Sequence, residues 1–144
     1  MKIYGVDHFT ITDIMAILDN PKKAKLNKEA KQKILKSQRN VQKIVASDRT
    51  VYGINTGFGP LCDVKISEAE TAQLQHNLII SHAVGVGKPI AKDYSKVMMI
   101  AKIHALSKGF SGVSMGVIER LIVMLEKDII PVVPEQGSVG ASGD

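Results

Sequence analysis

Apolar residues recur along this chain at two spacings, and the spacing changes at glycine and proline. The opening "MKIYG" predicts a short strand, and Thr12 is placed to cap a short helix over 13–19 that Pro21 ends. Ala30, Ile34, Val41, Ile44 and Val45 then return at helical spacing among lysines. That pattern predicts an amphipathic helix from a cap at Asn27 to about Ala46. "RTVYGI" reads as a strand, with β-branched and aromatic residues at its centre, and "NTGFGPLCD" as a loop broken by Gly57, Gly59 and Pro60. Ser67-Glu68-Ala69-Glu70 has the residue types of a capping box, opening a helix to about Ala83 that stops at Gly85 and Gly87. Asp93 is placed to cap a helix through Ser107, with Gly109 behind it. Ser114 is placed to cap the last helix, through about Lys127, with Val117, Ile118, Leu121, Ile122 and Leu125 on one face. "DIIPVVPEQ" follows as a buried-looking run. The expected fold class is mainly α with minor β, as one domain over residues 1–144, without internal repeats. Several helices are apolar over much of their circumference, which predicts a packed bundle or burial against further structure.

Composition narrows the partners. Of 144 residues, 44% are hydrophobic but only 4% aromatic, with no Trp, so the core must be aliphatic. No apolar run reaches the roughly 18 residues a membrane span needs, and "MKIYGVDHFT" has no signal-peptide apolar region, so a cytoplasmic protein is expected. The single Cys62 cannot form an internal disulfide and reads as a small buried hydrophobe rather than a nucleophile. The net charge of +5 is concentrated: residues 21–50 hold ten Lys or Arg against Glu29 and Asp48. A basic block can bind nucleic acid. This one has no aromatic side chain to stack on bases, and its periodicity favours a solvated helix face. A non-catalytic basic helical module is the reading from another class, and steep salt dependence of DNA binding would support it.

The glycine stretches ask for chemistry. "GVGKP" has Gly-Lys but lacks the first glycine and the Ser/Thr of a P-loop, and Pro89 removes a donor. Neither "GINTGFGP" nor "GSVGASGD" fits the dinucleotide fingerprint, and "GASG" is one residue short of a nucleophile elbow. His8, His76, His82 and His104 are dispersed, and no Cys/His spacing points to a metal. Ala141-Ser142-Gly143 is different. Glycine has no Cβ, so the Gly143 nitrogen can approach the Ala141 carbonyl carbon and close a five-membered ring. Loss of one water gives an imidazolone, and loss of the Ser142 hydroxyl as a second leaves an exocyclic methylidene. Serine supplies the leaving hydroxyl, glycine the unhindered nitrogen and alanine a small side chain. The product is an electrophile that no ordinary side chain provides. From the tripeptide alone, an ordinary turn is the commoner outcome.

The wider sequence changes that balance. "VPEQGSVGASGD" resembles the signature of the aromatic amino acid ammonia-lyases that carry a methylidene-imidazolone (MIO) group. "VYGINTGFGPL", "LQHNLIISHAVGVGKP" and "ALSKGFSGV" resemble further blocks of that family, in its order, so the resemblance covers roughly Ile3 to Asp144. It implies the N-terminal part of the fumarase/aspartase-like helical fold. It implies an MIO formed autocatalytically from Ala141, Ser142 and Gly143 with Asp144 supporting cyclisation, Tyr52 as catalytic base, His82 on the substrate side, and no metal. Ser81-His82 is most similar to the histidine-acting branch, since phenylalanine lyases usually carry apolar residues there and tyrosine lyases place a histidine one step earlier. The implied reaction is elimination of ammonia from L-histidine to give urocanate, in a homotetramer with a small-molecule substrate and neither nucleic acid nor membrane as partner. Another MIO enzyme, a tyrosine or phenylalanine ammonia-lyase or an aminomutase, is the alternative within the class. Lys102 and His104 depart from the Arg and Asn expected of the family, at positions that look structural. Family chains are several times longer, so these 144 residues read as an N-terminal portion, inactive alone and with Ala141-Ser142-Gly143 uncyclised. Without the resemblance, Tyr52 would read as a half-buried strand residue and His82 as a core histidine.

Overall fold

The computed structural model describes residues 1–47, 49–56 and 68–137. The chain divides into two compact units, residues 1–39 with 89–133, and residues 40–88 with 134–144. Among the described residues helices dominate and strand is confined to short stretches, so the mainly α class with minor β holds. Among the described residues, no helix is long and apolar enough to cross a membrane.

The first unit begins with β1 (Lys2–Ile3), which pairs in parallel with β2 (Ala24–Lys25), Lys2 opposite Ala24. Between them runs α1 (Ile11–Asp19). Its cap is Thr10 rather than Thr12. Asp13 N–H donates to Thr10 Oγ1 (3.2 Å) and Thr10 N–H to Asp13 Oδ2 (2.9 Å), a reciprocal box that works only with the acid three residues after the cap. Hydrogen bonds from Thr10, then the Lys2 ammonium at 3.0 Å, lower the Asp13 carboxyl to about 2. The long basic helix α2 (Lys28–Val45) starts as expected, with Asn27 Oδ1 accepting from Ala30 N–H at 2.8 Å. It buries Ala30 and Ile34, while Lys33 pairs with Glu29 (2.8 Å) and Lys31 with Glu119 (3.5 Å).

The core of this unit is mainly aliphatic, with Ile17, Ile34, Ile100, Ile103, Ile118 and Leu125 all buried, but the aromatic Tyr4 is buried among them. It is closed by α4 (Lys92–Leu106), packed on α1 and on α5 (Met115–Glu126). Asp93 does not cap α4. Ala91 holds the cap position without a side-chain bond, and Asp93 sits in the first turn, where a negative charge suits the helix dipole. Ser114 stands at the start of α5 but makes no capping bond through its side chain. The expected apolar face of α5 is directed inward except for Val117, which is exposed. Beyond α5 the run read as buried is mixed: Ile129 and Val132 are exposed, whereas Ile130 is half-buried against the core. Asp128, with a left-handed φ of 57°, receives the ammonium groups of Lys92 and Lys96, and those two hydrogen bonds hold its carboxyl below the usual range.

His104 ties the N-terminal segment to α4. Gly5 approaches the end of α4 so closely that a Cβ there would lie 2.2 Å from the Ser107 carbonyl oxygen, and its φ is +76°. From that position its N–H donates to His104 Nδ1 at 3.3 Å, and Phe9 stacks on the imidazole with ring centroids 4.2 Å apart. His104 thus has a packing role.

The second unit holds the end of α2, then α3 (Glu68–His82), and β3 (Val86–Pro89) paired with β4 (Pro134–Gln136). "GVGKP" is therefore strand, in keeping with its rejection as a P-loop. "RTVYGI" is not a strand but a turn, for reasons given below. The proposed caps and loop residues Ser67, Gly57, Gly59, Pro60 and Cys62 lie outside the described residues. Ile79 and Ile80 near the end of α3 are largely exposed.

The His104 contact makes stability depend on pH. Burial, then the charge of Lys108, pulls its pKa below the ordinary value. The unfolded chain therefore binds this proton more readily, so the stabilisation is present above about pH 6.5 and lost as pH falls through that range. His104→Asn keeps an acceptor for Gly5 N–H but cannot titrate. Thermal melts between about pH 7.5 and 5.5 should show a shallower fall for His104→Asn than for the natural chain. Equal slopes would contradict the assignment.

Candidate active site

Tyr52 sits in a turn that the sequence builds from side chains rather than from strand pairing. Gly53 adopts φ +75°, which reverses the chain directly after the tyrosine. Val51 C=O accepts from Ile54 N–H (3.1 Å) and Asn55 N–H (3.3 Å). Val51 N–H donates to Asn55 Oδ1 (2.9 Å), and Asn55 Nδ2 donates back to the Arg49 carbonyl (2.9 Å). Gly53 N–H donates to Thr56 Oγ1 at 3.3 Å. Asn55 and Thr56 are buried, 2% and 1% exposed, whereas Tyr52 is 63% exposed. The strand expectation failed because a strand needs neighbouring backbone as partner, and here two polar side chains take that part. The reading of Tyr52 as a half-buried strand residue falls with it.

His82 is the last residue of α3. The helix closes there, with Val84 N–H donating to the His82 carbonyl at 2.9 Å. The imidazole is exposed rather than a core histidine, and Ser81 Oγ lies 3.0 Å from its Nδ1. Tyr52 and His82 belong to the same unit, on separate elements. Ala141, Ser142, Gly143 and Asp144 lie outside the described residues. Among the described residues, no three His, Cys, Asp or Glu side chains are grouped so as to hold a metal ion. Sequence reasoning missed Asn55. The available signal was an asparagine two residues after a glycine in "YGINTG", the residue type that most readily bonds its own backbone in a turn.

Residues 9–144 match the family model for aromatic amino acid lyases. A histidine ammonia-lyase of Shouchella clausii is 50% identical over 135 residues, covering 94% of this chain and 27% of that protein. Among solved structures, a histidine ammonia-lyase from Trypanosoma cruzi has a TM-score of 0.82 at 31% identity, covering 97% of this chain and 28% of that one. Tyrosine aminomutase from Streptomyces globisporus has a TM-score of 0.87 at 28% identity, covering 96% and 26%. The chain thus spans about a quarter of the length of the relatives it matches.

The turn makes a prediction of its own. Among the described residues a Cβ at Gly53 would meet nothing within 4 Å, so the cost of Gly53→Ala is assigned to the left-handed backbone. That cost is about 1–2 kcal/mol, to be read by chemical denaturation. A neutral or stabilising effect would contradict the turn geometry.

Proposed function

Because the chain belongs to the aromatic amino acid lyase family, we propose that it is the N-terminal portion of a histidine ammonia-lyase, converting L-histidine to urocanate and ammonia. The observation that carries this reading is the likeness to a curated histidine ammonia-lyase along nearly the whole chain. The Ser81-His82 pair supports the same substrate.

The residue chemistry of Ala141-Ser142-Gly143 fits the MIO group: a leaving hydroxyl, an unhindered glycine nitrogen and a small first residue, followed by Asp144. That group supplies an electrophile that makes the substrate's amino group leave. Tyr52 then has the task of the base. Its side-chain oxygen takes the Cβ proton, the electron pair forms the Cα–Cβ double bond, and the Cα–N bond breaks to release ammonia. His82, at the end of α3, orients the substrate side chain. The single Cys62 fits the reducing cytoplasm. The working enzyme is a homotetramer that uses neither nucleic acid nor membrane.

An aminomutase is the second reading, favoured by the likeness to the tyrosine aminomutase. It would return the amine to Cβ, so product analysis separates the two: urocanate with free ammonia, or a β-amino acid. The histidine reading is preferred because identity is higher with the histidine ammonia-lyases.

In the complete polypeptide, Tyr52→Phe should lower kcat for urocanate formation by about 10²–10⁴-fold, the usual worth of a positioned acid–base group. Its intact mass should keep the two-water deficit of the cyclised tripeptide. Retained activity would remove Tyr52 from the mechanism. For the 144-residue chain alone we expect no urocanate and the uncyclised mass. A two-water deficit in that chain would contradict the second expectation.

A further inference from the structure

We propose that Asn55 is a positioning residue for the reaction, fixing the backbone that carries Tyr52. The inference rests on the reading of Tyr52 as base.

Tyr52 is 63% exposed. Its phenol oxygen stands at the end of a rigid ring, so a tilt of the backbone at Tyr52 moves the Cα–Cβ bond and is magnified along the ring. The backbone at 51–53 must therefore be held. It has no helix or strand to hold it. The residue before Tyr52 is held through its N–H by Asn55 Oδ1, and the residue after through its N–H by Thr56 Oγ1. Asn55 alone also reaches back across six residues to the Arg49 carbonyl, closing the turn into a ring of bonds. That double duty needs a group that accepts and donates at once. An amide does both, a carboxylate only accepts, and Ala does neither. Asp at this position would also set a negative charge against the Arg49 carbonyl oxygen. The burial of Asn55 means water cannot stand in for the lost bonds.

Misplacing a reacting group by about 1 Å can cost around 10²-fold in rate. In the complete enzyme, Asn55→Ala and Asn55→Asp should each lower kcat by about 10–100-fold while KM changes little and the two-water mass deficit persists. Both variants should lose some thermal stability, which a purely structural role would also produce. The deciding readout is a double-mutant cycle with Tyr52→Phe. Once the phenol is gone, its placement no longer matters, so Asn55→Ala should cost nothing further in kcat. The same loss in both backgrounds would overturn the inference and leave Tyr52 as base. Unchanged kcat in either Asn55 variant would overturn it as well. If Asn55→Ala does not fold, Asn55→Asp serves in the same cycle. Full activity in Tyr52→Phe would instead defeat the reading of the base, and this inference with it.

Discussion

The turn that carries Tyr52 has backbone groups that no strand or helix satisfies, and the Asn55 side chain supplies their partners. One buried amide accepts from Val51 and donates to the Arg49 carbonyl. Unpaired, those groups would carry the cost of buried polar atoms. Paired, they leave Gly53 to reverse the chain and Tyr52 to face outward. The functional reading depends on this arrangement, because a base presented to substrate must be both accessible and fixed.

The first unit reaches its rigidity by another route. Its core is mainly aliphatic, and the N-terminal segment is latched to α4 through Gly5, Phe9 and His104. Only glycine permits the approach to Ser107 there. His104 then serves as a neutral acceptor and a stacking surface.

Much of the fold was legible in the sequence where its signals were local and periodic. The long basic helix and its Asn27 cap follow from a spacing repeated over several turns. The last helix follows from Ile118, Leu121, Ile122 and Leu125 on one face. Caps were less legible: Thr10 and Thr12 carry the same hydroxyl, and only the position of Asp13 decides between them. "RTVYGI" misled because β-branched and aromatic residues mark a fit to a pleated surface, and here no partner strand pairs with them. Of the site, Tyr52 and His82 came from resemblance, whereas Asn55 offered only the turn-forming tendency of its residue type. Its role arises from bonds to residues four and six positions away, which a one-dimensional pattern does not display.

Amide hydrogen exchange at Val51 tests the clamp most directly, because its N–H is bonded to Asn55 Oδ1 and to no regular element. The account predicts that this amide is protected in the natural chain and that Asn55→Ala abolishes the protection while the amides within α4 keep theirs. Exchange of the Val51 amide at the rate of an unstructured peptide in the natural chain would contradict it.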